Sequence, residues 1–335
     1  MKILVNNGWV VMVLASLMLS SAQADSTVVN RLLLGSEALE ISGFGDFRVY
    51  LNENASDQRF TIGAAEMALA YQLNERASSQ MSIAYANSAF GIGSFTLDYQ
   101  LAAGDRSSTP IKSLNVKAGQ FDIPVGIDWQ RYASPDRNLI STPRMVSNLH
   151  GAWNDLGVAF DLATDNVKFA AFAANGFCFE GTSSDGAELH TENRLATGGR
   201  FGIAPVAVVE VGASVAQVFG KSGSADINLV GFDIRADLNQ SALRAEIMRE
   251  QLDGAGHSSC DNSGYYVEFS QQIGQWVLAL QREQLWSDEL AESDYSGMLL
   301  GIGRQLGERI TARWETRYDF TVKQFYGTGQ LVMQF

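Results

Sequence analysis

The sequence has little of several things that mark other classes of protein. Only 5 of its 335 residues are proline and 2 are cysteine, so neither a proline-rich linker between domains nor a disulfide-dense small fold is indicated. After residue 24 there is no run of 18 uncharged apolar residues, which excludes a helical membrane protein. The formal charge of −13 gives no basic surplus for phosphate backbones, so we expect no nucleic-acid partner.

The first residues have the features of a targeting segment. Lys2 is followed by an apolar run from Val10 to Leu19 and then by the small-x-small triplet Ala22–Ala24. This order is typical of a cleaved signal peptide, and the run is too short to span a bilayer. We therefore expect a signal peptide over 1–24, a short periplasmic segment or helix over 25–39, and one domain over 40–335.

The rest of the chain is rich in glycine and aromatic residues, with 32 Gly, 18 Phe, 10 Tyr and 6 Trp, and it alternates with period 2. In 41–52 one face is mostly apolar, whereas the other includes Asp46 and Arg48. The segment 310–319 repeats the pattern, with Arg313, Glu315 and Arg317 on its polar face. Successive side chains of a strand point to opposite faces, so each segment predicts a strand with one apolar and one polar side.

Segments of this kind recur about sixteen times. The predicted strands are 40–52, 59–73, 78–87, 92–101, 111–121, 156–162, 166–174, 193–203, 206–217, 226–237, 241–252, 263–272, 275–286, 294–303, 308–319 and 324–335. Connections alternate between long and short, with one exception at 102–110, as expected for long outer loops opposite short periplasmic turns. The last strand ends on Phe335, which resembles the signal read by the outer-membrane assembly machinery.

Strands with one apolar and one polar face must close if they lie in lipid, because every backbone polar group there needs an internal partner. We therefore predict an all-β protein: a transmembrane antiparallel β-barrel of about 16 strands in the bacterial outer membrane. At this strand number the interior is wide enough for an aqueous channel lined by the polar faces.

The connection over 122–155 is by far the longest. A loop of this length without structure of its own is usually functional, and we expect it to fold into the lumen as the third outer loop. The residues Lys117–Phe121, followed by Pro124 and Gly126, resemble the porin O and P family of sixteen-stranded, phosphate-selective porins. The resemblance implies a trimeric channel with an infolded third loop. It does not carry over phosphate selectivity, since no ladder of basic lumen residues is visible.

Charged residues of both signs are predicted at the constriction. The pore-lining candidates are Asp46, Arg48, Lys117, Asp128, Arg131, Asp136, Arg137, Arg144, Arg313, Glu315 and Arg317. Barrel closure would bring Arg48, Arg313 and Arg317 together as one basic patch. Facing the mixed loop, this patch would create a transverse field that favours polar solutes. The alternative is a set of neighbouring salt bridges that stiffen a polar lumen.

The remaining candidates for chemistry are few. Cys178 and Cys260 fall in predicted outer loops and are either bridged or two unpaired thiols; their spacing does not suit a metal site. His150, which has Ser147 and Asp155 near it in sequence, is a weak catalytic candidate, and a solvated or pore-lining role is favoured. Catalytic motifs such as Gly-x-Ser-x-Gly are absent. We therefore expect no cofactor, no metal and no enzymatic activity.

The sequence thus favours a porin that passes small hydrophilic solutes or ions, with outer-membrane lipid and two further copies of the chain as partners. Two rivals stay open: a barrel enzyme of lipase or protease type, and a closed barrel that acts as an adhesin or receptor through its loops. A clustered Ser/His/Asp set or a plugged lumen would favour the rivals.

Overall fold

The computed structural model describes residues 39–52, 59–86, 89–104, 110–131, 133–151, 153–176, 195–219, 226–253, 260–288 and 294–335. The predicted signal peptide (1–24) and nearly all of the predicted periplasmic segment (25–39) lie outside these ranges and stay predictions. The strands are β1 (Leu39–Asn52), β2 (Arg59–Asn74), β3 (Ala77–Ala86), β4 (Ala89–Ala103), β5 (Ile111–Asp122), β6 (Asn154–Thr164), β7 (Val167–Ala174), β8 (Leu195–Val206), β9 (Val209–Phe219), β10 (Asp226–Leu238), β11 (Ser241–Asp253), β12 (Cys260–Ile273), β13 (Trp276–Ser287), β14 (Tyr295–Gly307), β15 (Ile310–Asp319) and β16 (Gln324–Gln334).

The strands form one closed antiparallel barrel in which each pairs with its neighbours in sequence and β1 pairs with β16. At the seam the backbone N–H groups of Gly43 and Phe335 each donate to the carbonyl of the other, at 3.2 and 3.0 Å. Closure leaves no strand edge without a neighbour, as a lipid environment requires. The predicted 16-stranded barrel is confirmed.

Two predicted turns are displaced. The connection between β14 and β15 was expected at 304–307, but β14 continues to Gly307 and the turn is at 308–309. The connection between β8 and β9 was expected at 204–205, but β8 continues to Val206 and the turn is at 207–208. The register shifts between Ile203 and Val206, so Pro205, which has no N–H to donate, lies where the ladder is already irregular.

The outer face of the barrel is apolar. Phe232, Leu300 and Val158 are 61%, 60% and 52% exposed, as expected for side chains that meet lipid. Trp276, Trp286 and Trp314 are also exposed on this face, as expected for aromatic side chains near the interfaces of a membrane barrel. Among the described residues, no helix is long and apolar enough to cross a membrane.

The inner face is less polar than the sequence suggested. The alternation predicted a polar lumen, but a buried apolar cluster lies inside the barrel, where it joins the connection after β5 to the inward faces of β5–β14. We call the barrel end with this long connection the outer end, and the end with the short turns the periplasmic end. Strand members of the cluster include Phe172, Val218, Leu229, Met248 and Leu285. The outer part of the lumen on this side is therefore a hydrophobic core and not a water-filled wall.

Candidate pore and its inner loop

The connection between β5 and β6, which we call the inner loop (123–153), folds into the barrel as predicted. It contains two short 3₁₀ turns, Asp128–Arg131 and Ser134–Asp136, and one helix, α1 (Arg144–Leu149). Residues from all three of these segments contact the inward face of the wall. The loop therefore occupies part of the lumen and narrows it.

Apolar contacts hold the helical part of the loop. Met145, Val146 and Leu149 are fully buried in the cluster inside the barrel. Gly264 on β12 makes room for them, since a Cβ there would lie 2.8 Å from Cγ of Met145. Burial of three such side chains contributes several kcal/mol, at about 1.5–3 kcal/mol each. The wall is shaped to receive the loop.

Further along the wall a second apolar contact supports the middle of the loop. Leu139 is buried against Leu299 and Ala279. A Cβ on Gly301 would lie 2.5 Å from Cδ2 of Leu139, so β14 also lacks a side chain where the loop approaches.

Wall carboxylates accept the loop's backbone hydrogen bonds. Glu315 accepts from the N–H groups of Ile140 (2.8 Å) and Ser141 (3.0 Å) and from the Ser141 hydroxyl (2.5 Å). Glu283 accepts from the N–H of Arg144 at 2.8 Å. A loop without regular structure has unpaired N–H groups, and ionised acceptors are the strongest partners for them.

A third carboxylate, Glu246, holds the start of the loop. It accepts from the N–H of Ile127 at 3.3 Å, while Gly126 donates its N–H to the Ser214 hydroxyl at 2.9 Å. Gly126 has φ +70°, and a Cβ there would lie 2.0 Å from Oε1 of Glu246. Both its conformation and its close approach require glycine.

Arg48 and Arg313 meet at Ser134. Arg48 donates to the carboxylate of Asp46 (2.8 Å), and Asp46 also accepts from the Ser134 hydroxyl. Arg313 donates to the backbone carbonyls of Ser134 (2.7 Å) and Pro135 (3.1 Å). The seam strands β1 and β15 thus grip the second 3₁₀ turn by its polar groups.

A second set of charged contacts involves Arg131 and Arg137 of the loop. Arg131 donates to the Asp136 carbonyl at 3.0 and 2.8 Å, and its guanidinium lies 3.8 Å from Glu268. Arg137 lies 3.6 Å from Asp128. These contacts stabilise the bend between the two turns.

The predicted pore-lining residues differ in their burial and in their position in the barrel. Asp46, Asp128, Arg137 and Glu315 are buried, with exposures of 0%, 3%, 8% and 2%, and they hold the loop. Arg48, Arg131 and Arg313 are partly buried around it, and Lys117 lies 3.6 Å from Asp98 at another part of the wall. Arg144, Arg317, and the exposed Asp136 complete the set.

The predicted basic patch of three arginines is only partly assembled. Arg48 and Arg313 share Ser134, but Arg317 lies with its guanidinium carbon 4.8 Å from the ring centre of Tyr326. It lines a cavity of about 550 Å³ together with Arg144. On the periplasmic side a smaller cavity of about 210 Å³ is lined by Arg313, Asp136 and Arg137.

Sequence reasoning missed several residues of this site. They are Tyr50, Arg59, Glu283, Tyr295 and Tyr326, which line the outer cavity or hold the loop. Each lies on the inward face of a strand near its outer end, so the same alternation that identified Arg48 and Arg317 could have found them.

His150 is buried, with 1% exposure, and its Nε2 lies 3.6 Å from Oε1 of Glu246. The predicted solvated or pore-lining role is therefore wrong. Ser147 donates to the Arg144 carbonyl, and Asp155 accepts from the N–H groups of Leu156 and Gly176. His190 and His257, like Cys178, lie outside the described residues, so the bridge between Cys178 and Cys260 stays a prediction.

Comparison with solved structures supports the same fold. OmpT of Vibrio cholerae lacking loop L8, described as an outer membrane protein, matches with a TM-score of 0.61 and 15% identity over 89% of this chain and 99% of that chain. An anion-selective porin from Comamonas acidovorans matches with a TM-score of 0.63 and 12% identity, over 89% of this chain and 99% of that chain. Salmonella typhi OmpF matches with a TM-score of 0.62 and 11% identity, over 89% of this chain and 97% of that chain. No family model and no curated protein matches the sequence.

At these identities the similarity shows the fold, which is that of a bacterial outer-membrane barrel of the porin type. The predicted location in the outer membrane is confirmed at this level. The predicted lack of enzymatic activity requires correction. Several of the similar structures are OmpT, described as an outer membrane protein and not as a porin, so a shared fold does not exclude an enzyme.

Proposed function

We propose that the chain is an outer-membrane porin, of the type that the porin O and P resemblance implies, through which small hydrophilic solutes or ions diffuse passively. The observation that carries the proposal is the inner loop inside the barrel, with a cavity on its outer side and another on its periplasmic side. A wide barrel narrowed by a fixed loop restricts passage by size while leaving a polar route.

The way in which the loop is held supports this function. A movable plug would have few fixed contacts, whereas this loop combines a buried apolar face with backbone hydrogen bonds to Glu283 and Glu315. A constriction that keeps its shape selects solutes in the same way at each passage. We extend the proposal to a homotrimer in outer-membrane lipid, since one similar OmpT structure is described as a trimer form.

The test is single-channel recording of the refolded chain in a planar bilayer, with the reversal potential measured under a salt gradient. The proposal predicts discrete, long-lived open steps. Protein that is folded and inserted, as judged by its resistance to protease, but that passes no current would contradict it.

A further inference from the structure

We infer that the lipid-facing side of the barrel binds a phosphate group of an outer-leaflet glycolipid through Arg282 on β13. The inference needs only the location in the outer membrane and does not rest on the proposed channel function. Arg282 alternates with Gln281 and Glu283, which are fully buried inside the barrel, so its side chain points away from the lumen. Its paired neighbours Val267 and Met298 are 39% and 43% exposed on the same side.

Arg282 lies between the two exposed tryptophans of β13. Trp276 is six residues before it and Trp286 four residues after it, on the same face. Tryptophan side chains favour the two membrane interfaces. Arg282 is therefore about 10 Å below the outer interface, at about 3.3 Å per residue and a strand tilt of about 40°. A charged side chain at such a position destabilises a barrel unless it has partners.

The guanidinium of Arg282 turns toward the outer interface. It donates to the Ser296 hydroxyl at 2.8 Å and to Oε1 of Gln284 at 3.3 Å, and these two residues form the pair two positions nearer the outer end. It also donates to the backbone carbonyls of Gly297 (2.8 Å) and Glu283 (3.1 Å). Long side chains take this course when they carry a charged end from lipid toward water.

These contacts hold the guanidinium of Arg282 but leave its charge without a counterion. All four hydrogen-bond acceptors are neutral, and so is the Phe320 ring, whose centre lies 5.0 Å from the guanidinium carbon. Within the described residues Arg282 is in no salt bridge. Arg249 on the same side of the barrel differs, since it is paired with Asp261. An anion from outside the barrel would therefore complete the site.

A second copy of the chain does not offer this anion. Copies related by an axis along the membrane normal place equivalent residues at equal depth. The described carboxylates that the alternation places on the lipid-facing side all lie within two residues of the outer end of a strand; they are Asp122, Asp226, Asp253 and Asp261. None of them is at the depth of Arg282.

The surroundings of Arg282 suit a glycolipid of the outer leaflet. In the outer half of the lipid-facing side, Gln284, Ser296 and Tyr318 carry hydrogen-bonding groups. The periplasmic half of β13 and β14 is apolar on this side, with Leu278, Leu280, Leu300 and Ile302. The outer leaflet of a bacterial outer membrane consists of glycolipids whose sugars carry phosphate near the interface. A planar guanidinium matches the geometry of a phosphate, and the apolar half would contact the acyl chains.

The test measures the binding of diphosphoryl lipid A to the refolded, lipid-free protein in detergent by native mass spectrometry. We expect R282Q to raise the concentration for half-saturation about tenfold, since it removes one charge-assisted contact worth about 1.4 kcal/mol. R282K keeps the charge but not the planar fork, so its value should lie between those of the wild type and R282Q. Values for the wild type and R282Q that agree within about twofold would overturn the inference.

Arg304 supplies the matched control. It lies on the lipid-facing side of β14 near the periplasmic end, paired with Trp276 and with its guanidinium carbon 4.9 Å from the centre of that ring. R304Q therefore removes the same charge, also placed against an aromatic ring, from the other interface and should leave lipid A binding unchanged. An equal loss of affinity in R304Q and R282Q would show attraction to charge in general and overturn the site.

Two further probes identify the bound group. Lipid A without its phosphates and phosphatidylglycerol should each bind at least about tenfold more weakly than diphosphoryl lipid A. Equal binding of the dephosphorylated lipid would overturn the role of the phosphate, and equal binding of phosphatidylglycerol would overturn the assignment to a glycolipid. A change in the number of copies per complex in R282Q, with lipid A binding unchanged, would make a second copy the partner and overturn the inference.

Discussion

The lumen has two walls that differ in what they contact. On the covered wall, inward side chains of β7–β15 hold the inner loop through carboxylates and apolar groups such as Glu283, Glu315 and Met248. On the open wall, formed by β2–β4, inward side chains are small or polar and bond within the wall. Ser82 is 3.0 Å from the hydroxyl of Ser94, and Thr96 donates to Asp98 at 2.8 Å.

This difference explains why charge inside a barrel does not by itself identify pore-lining residues. The most buried carboxylates of the lumen are structural, because a loop without regular structure must find acceptors for its N–H groups. Water and solute contact the inward polar side chains that are not bonded to the loop. The comparison predicts large effects on the loop from changes in the covered wall and small ones from changes in the open wall.

The largest effect is expected from the apolar contact of α1. Met145→Ala removes a fully buried side chain and should destabilise the docked loop by about 2–5 kcal/mol. Tryptic cleavage of the folded barrel after the loop arginines should then be at least about tenfold faster, since cleavage follows the population of open loop. Met298→Ala, on the lipid-facing side of β14 with 43% exposure, should not change it.

A smaller effect is expected from the carboxylate that accepts three hydrogen bonds. Glu315→Ala leaves the N–H groups of Ile140 and Ser141 without their acceptor. This should destabilise the docked loop by about 1–3 kcal/mol, since water from the outer cavity replaces part of the lost hydrogen bonding. Hydrogen exchange at these two amides should become faster. Glu315→Gln keeps one acceptor oxygen, so its exchange rates at these amides should lie between those of the wild type and of Glu315→Ala. Exchange rates that are unchanged in both variants would contradict the role of Glu315 in holding the loop.

The next effect tests the shape of the covered wall. Gly301→Ala places a Cβ 2.5 Å from Cδ2 of Leu139, the end of a flexible side chain, and should cost about 1 kcal/mol. Gly303 is the matched control on the same face, since its nearest contact would be 3.5 Å away. Tryptic cleavage should be faster in Gly301→Ala than in Gly303→Ala; equal rates would show that β14 does not fit the loop closely.

The smallest effect on the loop is expected from the open wall. Glu66 lies on β2 opposite Phe44 of β1 and Ala84 of β3, on the inward face. Glu66→Gln should leave tryptic cleavage unchanged while the reversal potential shifts toward anions, because one negative charge leaves the lumen. A change in loop cleavage would show that the open wall also supports the loop.

The fold was predictable because alternation is a local property. Period 2 sets the face of each side chain, and lipid on one side requires closure, so the strands and their neighbours follow from the sequence. The predicted strand ends agree with the structure to within a few residues, and the largest differences are at the turn near Pro205 and at the end of β14.

The site was less predictable because its contacts are long-range. Ile140 and Glu315 are 175 residues apart, and nothing in the sequence indicates which wall carboxylate receives which N–H. One signal was present: near the outer ends of β10, β11 and β13, Leu229, Met248 and Leu285 place apolar residues on the inward face as well. That break in the alternation marks where the loop docks.

The central claim is that the inner loop, held by the covered wall, sets the size of the passage. The most direct measurement is the swelling rate of liposomes in sugars from mono- to tetrasaccharide, for the wild type and for the double variant Glu283→Ala/Glu315→Ala. We predict that the wild-type rate falls steeply with sugar size and that the double variant admits larger sugars. Identical size dependence in the two proteins, with equal amounts of folded barrel, would contradict the account.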